Sequence, residues 1–255
     1  MNIHPSAIIE EGALIEEGTV IGPFSVIGSQ VKIGKDCIIH SHVTIDGNTT
    51  IGSNNEIFPY ACIGKKTQDL KFISGNPGVK IGNNNSIREY ATIHCATDDG
   101  DYTTINDNCS ILTYCHIAHD CILEDNVVLS GGSMLAGHVE VGKNVIVSGM
   151  TGVIQFVKIG DYAFVGGYSK LTQDVPPYCI ADGIPARIAM INKIGLERNQ
   201  FSKESIKEIY RAFKCVFKSD KSMDDIMDNL AAMDNPHAKK MFDFIESSKK
   251  GVLRK

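Results

Sequence analysis

No apolar run in the sequence approaches the length of a membrane span. Its first residues, MNIHPSAIIEEGAL, lack both the basic segment and the apolar core of a secretory signal, so no leader peptide is expected. Positive charge is not in excess either. The formal net charge is −5, which argues against a protein that coats nucleic acid. The charge is uneven: residues 1–189 hold 11 Lys and Arg against 20 Asp and Glu, whereas residues 190–255 hold 14 against 10. A basic segment on an acidic body suits an acidic macromolecular partner, and an ordinary solvated helix face shows the same pattern.

From Ile3 to Leu171 the sequence follows neither the helical period of 3.6 nor the strand period of 2. Its period is six. Isoleucine occupies positions 3, 9, 15, 21, 27, 33, 39, 45, 51, 57 and 63, and the phase continues to Leu171 with 26 aliphatic residues at 29 rungs. Chance would fill about 12 or 13 of them at 43% hydrophobic content. The three misses, Asp69, Gly75 and Asp99, fall in two polar interruptions, residues 65–78 and 96–103, which read as loops thrown out from a scaffold. A fixed six-residue period is the mark of a parallel β-helix, with one short strand and one corner per hexapeptide and three hexapeptides per coil. Glycine after the rung, as at Gly22, Gly28, Gly34, Gly52 and Gly64, is expected to supply corner backbone freedom.

The position two before the rung is usually small or β-branched (Ala7, Thr19, Ser25, Val31), and Cys37, Cys109, Cys115 and Cys121 occupy it too. These thiols are expected to be small buried hydrophobes, not metal ligands, and a reducing cytoplasm fits them. His4, His40 and His42 are expected to be structural or solvent-facing. The repeat ends at 175–189, where Pro176-Pro177 should stop strand pairing. Beyond Asn199 helical spacing takes over, with Ser202, Ser222 and Asn235-Pro236 as starts and Ile226, Leu230 and Met233 on the second helix. The division is thus a β-helix over 1–189 and a helical domain over 190–255.

Positions three hexapeptides apart should stack, so His119, Gly137 and Gln155 share one column, with Asp120 and His138 in the column beside it. An imidazole can take a proton from an attacking hydroxyl or amine. A glycine lets a carbonyl approach its backbone N–H, and one such oxyanion donor is worth about 3 kcal/mol. Together these are the parts of an acyl-transfer site.

The segments HIAHDC (116–121), LAGHV (135–139), TQDLKF (67–72), IREYATIH (87–94), IQF (154–156) and QDVPPY (173–178) resemble the UDP-N-acetylglucosamine O-acyltransferase family of hexapeptide-repeat transferases, which opens lipid A synthesis. The resemblance spans nearly the whole chain. It implies a left-handed coil, a cytoplasmic homotrimer, and an acyl donor carried on the phosphopantetheine arm of acyl carrier protein, with no other cofactor and no metal. It implies His119 as general base, oriented by Asp120, and the Gly137 N–H as oxyanion donor. Gln68, Asp69 and Lys71 would hold the sugar from a neighbouring subunit. His116, His138 and Gln155 would contact the sugar nucleotide, Asn192 and Arg198 its uracil and diphosphate, and Gly167 would gauge a long (R)-3-hydroxyacyl chain.

The chain departs from the family pattern at Ile154 (usually histidine), Ile194 (usually acidic), Asn199 (usually arginine) and the DGIPAR turn (182–187). These leave the acyl length and an oxygen or nitrogen acceptor at the 3-position open. Three rivals stand beside this reading. One is a hexapeptide transferase acting on another nucleotide sugar in surface-polysaccharide synthesis. Another is a zinc hydratase using His94, His116 and His138, which do not share one stacking column by count. The third is a non-catalytic scaffold that binds a carrier protein.

Overall fold

In the computed structural model, which describes residues 2–219 and 221–254, the hexapeptides become strands mostly of two to four residues, and three make one turn of a prism. Strands of successive coils stack in parallel into three sheets, of eleven, nine and eight strands among the described residues. Rung meets rung: Ile21 pairs with Ile39, Ile27 with Ile45 and Leu135 with Val153. Two steps are longer. Ile63 pairs with Ile93 and Ile93 with Ile117, steps of five and then four hexapeptides where the regular step is three. The loops therefore add two hexapeptides and one, and the chain re-enters in phase.

The rungs form the core. Ile27, Ile45, Ile63, Ile93, Leu129 and Leu135 expose no surface. At roughly 25 cal/mol per Å² of apolar surface, this continuous stack is the main drive for closing the coil. The small slot two before each rung tolerates polar atoms because each finds the corner of the next coil. Ser25 donates to the His40 carbonyl at 2.7 Å and Thr19 to that of Gly34 at 2.7 Å. The Cys115 and Cys121 thiols do the same toward Ser130 and Ala136, so these cysteines are buried and separately engaged. Burial pushes the Cys115 thiol up to about 11.

The corners correct one expectation. Left-handed backbone falls three residues after the rung, on Phe24, His42, Asn54, Tyr60, Asp120 and His138, with φ of 58° to 67°. Of the glycines after the rung named above, Gly64 uses that freedom, with φ of 78°, while the others serve closeness: a Cβ on Gly22 would lie 2.7 Å from the His40 carbonyl carbon, and one on Gly34 equally close to that of Gly52. The left-handed residues stack along three edges of different character. One is a ladder of rings, Phe24, His42, Tyr60, Tyr90 and Tyr114, spaced 4.9–5.1 Å apart. The second carries Asn54, Asn84, Asn108, Asn126 and Asn144, a residue type that tolerates this backbone. The third carries Asp120, His138 and Phe156.

The proline pair does not end strand pairing. Beyond it, Cys179–Gly183 still pairs in parallel with Phe164–Val165, Val165 opposite Ala181, and then turns back as a hairpin with Ala186–Ile191. That coil falls short of three full hexapeptides, and the repeat stops there because the chain reverses. The division expected after residue 189 falls inside the second hairpin strand. A helix not anticipated, α1 (Lys193–Arg198), follows at once, and α2 (Lys203–Phe217), α3 (Met223–Ala231) and α4 (Pro236–Ser247) complete the chain. Ser202, Ser222 and Asn235 cap the last three, each accepting from the N–H three residues on. Met233 lies past the end of α3. Among the described residues no helix is long and apolar enough to cross a membrane.

Closeness of the coils at Gly34 is directly testable. Gly34→Ala should destabilise the fold by about 1–3 kcal/mol through overpacking, read as a lower midpoint of thermal unfolding, although its φ lies outside the left-handed region.

Candidate active site

The third edge gathers the chemistry. Ile117 ends its strand inward, the chain turns through Ala118 and His119, and left-handed Asp120 reverses it toward the next face. His119 is 5% exposed. Its Nδ1 lies 2.7 Å from Asp120 Oδ2 and 3.1 Å from Thr97 Oγ1. A carboxylate only accepts, so Nδ1 carries the proton and Nε2 keeps its lone pair. The carboxylate is itself fixed: Asp120 Oδ1 accepts the Thr97 N–H at 3.2 Å, and the Asp120 N–H donates to Thr103 Oγ1 at 2.9 Å. Thr97 and Thr103 belong to the shorter insertion, which thereby locks the His–Asp pair.

One coil on, the His138 N–H donates to the His119 carbonyl at 3.0 Å, which places Gly137 against the His119 imidazole. A Cβ at Gly137 would overlap that ring. The Gly137 N–H donates to no other described residue, so an open donor stands beside a basic nitrogen.

His119, Gly137 and Gln155 line one cleft of about 900 Å³, together with His116, Gln68 and Lys71. Asp69 lines it too, but its Oδ1 accepts the Lys71 N–H at 2.8 Å and so also shapes the loop. The Thr67 and Thr97 hydroxyls meet at 3.4 Å, tying the longer insertion to the shorter. Within one chain the loop overhangs the cleft that holds His119 and Gly137. His138 stands beside this group without lining the cleft: its ring stacks on Phe156 at 4.6 Å, meets His119 edge-on at 5.2 Å and has Nε2 3.5 Å from Asp120 Oδ2. Donor atoms of His119, Asp120 and His138 lie within 4.8 Å of one another, a spacing open to a metal ion, yet both imidazoles address one carboxylate oxygen.

Three expected residues are not brought to the cleft in one chain. Asn192 is buried; its Oδ1 accepts the Gly195 N–H and its Nδ2 donates to the Tyr162 carbonyl at 2.9 Å, which makes it the cap of α1. Arg198 is exposed in the last turn of that helix, and Gly167 is exposed on the edge that carries the ring ladder. Of the departures from the family pattern, Ile154 lines the cleft and Ile194 is exposed.

Spacing missed His94. Because the shorter insertion adds one hexapeptide, Thr92 pairs with His116, and His94 packs edge-on against the His116 ring at 5.1 Å. The trio weighed for zinc is therefore divided, His94 with His116 and His138 with His119. His116 Nδ1 lies 2.8 Å from Thr92 Oγ1, whereas the buried Nδ1 of His94 has no partner. Burial holds both below the ordinary histidine range; neighbouring His116 and His119 add to this for His94, and His119 for His116. Thr97 was also missed, since nothing about a loop threonine in the sequence marks it.

Comparison with known proteins agrees across the whole chain. The six-repeat pattern "Bacterial transferase hexapeptide" matches residues 12–47 and 102–137, and that of "Udp N-acetylglucosamine O-acyltransferase; Domain 2" matches 174–253. The acyl-[acyl-carrier-protein]–UDP-N-acetylglucosamine O-acyltransferase of Campylobacter concisus is 39% identical over 254 residues, 98% of this chain and 97% of its own. Among solved structures, the UDP-N-acetylglucosamine O-acyltransferase of Moraxella catarrhalis superposes with a TM-score of 0.97 at 39% identity, covering 100% of both chains. The UDP-N-acetylglucosamine acyltransferase of Campylobacter jejuni gives 0.94 at 40% identity, again over 100% of both.

The two depressed histidines give a pH dependence with a definite sign. The unfolded chain binds protons at about pH 6.5 that the folded chain refuses. Stability from this source is present above that pH and is lost as pH falls below it. Denaturant unfolding should therefore show a decline from pH 7 to pH 5 that flattens in a His94→Gln, His116→Gln double variant.

Proposed function

The chain belongs to the UDP-N-acetylglucosamine O-acyltransferase family, and on that premise we infer that it moves an (R)-3-hydroxyacyl group from acyl carrier protein to the 3-hydroxyl of UDP-N-acetylglucosamine. This is the entry reaction of lipid A synthesis. The observation that carries the inference is the His119 imidazole lying against Gly137, whose N–H is unengaged.

In this reading Nε2 of His119 removes the proton of the 3-hydroxyl as its oxygen attacks the thioester carbonyl. The new imidazolium is held by the Asp120 carboxylate 2.7 Å from Nδ1. Negative charge gathers on the former carbonyl oxygen, and the Gly137 N–H receives it. Collapse breaks the C–S bond, and His119 returns its proton to the departing thiolate of the carrier's phosphopantetheine arm. The group transferred is already activated, so the reaction calls for no further cofactor.

Gln68 and Lys71, on the loop over the cleft, and Gln155 and His116, on its floor, hold the sugar. His138 supports Asp120 from behind. A homotrimer completes the site: Arg198 of a neighbouring chain reaches the nucleotide, and Asn192 serves by capping the helix that presents it. The exposed Gly167 leaves room for a long acyl chain in the groove between chains. The cytoplasm, where acyl carrier protein and nucleotide sugars meet, is the compartment this reading requires.

His119→Ala should lower turnover of UDP-N-acetylglucosamine with a 3-hydroxyacyl carrier-protein donor by about 10²–10⁴-fold, followed by mass spectrometry of the acylated nucleotide sugar. Near-normal turnover by that variant would overturn the assignment. A panel that includes a 3-amino acceptor separates ester from amide formation.

A further inference from the structure

The last residues of the chain return to the catalytic edge and are stitched there by a buried carboxylate. Asp174 is 1% exposed. Its Oδ1 accepts the Lys158 N–H at 2.8 Å and its Oδ2 the Ser248 hydroxyl at 2.6 Å. Its main chain bonds Gly251 and Leu253, and Asp174 and Val252 form a parallel bridge. Gln173 donates to the Lys250 carbonyl at 3.4 Å. Held this way, Lys250 lines the cleft, with Nζ 5.8 Å from the Phe156 ring.

Lys170 lines the same cleft from the prism itself. Its row on the outer face is set by register: His116 pairs with Met134, Met134 with Gly152 and Gly152 with Lys170. Three steps of about 4.8 Å place Lys170 roughly 14 Å along the axis from His116, and two steps place it roughly 10 Å from the coil of Gly137. Between them the floor is apolar, with Met134 and Ile154, and a Cβ built on Gly152 meets nothing within 4 Å. Neither Lys170 nor Lys250 forms an ion pair among the described residues, and Asp69 is the only carboxylate lining the cleft. The cleft is thus an open trough with an apolar floor beyond the His–Gly pair, with Lys170 two coils past Gly137 and Lys250 reaching in from the tail beside Phe156.

We propose that Lys170 and Lys250 seat the phosphodiester of the arm that carries the acyl group. The proposal rests on the acyl-transfer reading above. Distance favours the donor over the acceptor. The diphosphate of a nucleotide sugar is bonded directly to the ring that reacts, so it stays close to His119. A phosphate far from the reacting carbonyl, joined to it by a long amide chain, is what the donor arm presents. The trough between suits that chain, and a rigid tail gives Lys250 a fixed place instead of a waving one.

The experiment compares an acyl thioester of phosphopantetheine with one of pantetheine, which lacks the phosphate, each paired with UDP-N-acetylglucosamine. Wild-type kcat/KM should favour the phosphorylated donor by roughly tenfold, the size of one charge-assisted contact. The Lys170→Met, Lys250→Met variant should bring the ratio close to one, and Lys250→Arg alone should retain it. The wild-type preference should also shrink as salt is raised, a readout that needs no variant to fold. A ratio that survives in the double variant overturns the proposal, as does a loss expressed only in KM for the nucleotide sugar, which would assign the two cations to the acceptor. If wild-type protein acylates UDP-N-acetylglucosamine from neither donor nor acyl carrier protein, the functional reading itself fails, and the seat with it.

Discussion

Everything in this molecule follows from winding a chain at three hexapeptides per turn, so that like positions stack one coil apart. Stacking buries an aliphatic residue under an aliphatic residue on each face, and the summed apolar contact offsets the entropy of ordering many two-residue strands. The same constraint requires thin corners. Glycine after the rung is required where another coil's backbone passes within van der Waals contact, and the left-handed position three after the rung lets the chain change face within a few residues. A strand this short has little stability alone; it acquires it from the coils on either side.

The site is a local use of that geometry. At one corner the left-handed residue is an aspartate, so its carboxylate swings back onto the preceding histidine. One coil later the residue that matches this histidine is glycine, which brings a backbone amide against the imidazole. Neither feature interrupts the winding, since His138 and Phe156 continue the corner as stacked rings. The two insertions then act as a clasp. The shorter supplies Thr97 and Thr103 to fix the acid–base pair, and the longer, tied to it through Thr67, overhangs the cleft.

Much of this was legible because the repeat is arithmetic. From Ile105 to Leu171 the spacing alone places His119 beside Gly137 and Gln155, and the cysteines in separate inward slots. What was not legible lies where arithmetic and local chemistry part. Counting by threes of hexapeptides separates His94 from His116, although the inserted hexapeptide brings their rings together. Glycine's frequency after the rung suggested backbone freedom, which Gly64 does use, yet at Gly22 and Gly34 the requirement is steric and many left-handed corner positions are aromatic or polar residues. The proline pair suggested an end to pairing, but proline forbids only donation from its own nitrogen, and the next strand still finds Phe164–Val165. Nothing in the motif that marked Asn192 showed that its side chain also caps a helix.

The lengths of the two insertions carry a last consequence. What each adds to the regular turn is a whole number of hexapeptides, two for the longer and one for the shorter, so the chain rejoins the ladder with its isoleucines inward. An excursion that rejoins the ladder in phase leaves every coil before and after it undisturbed, so this scaffold can carry an overhanging segment without moving the machinery beneath it.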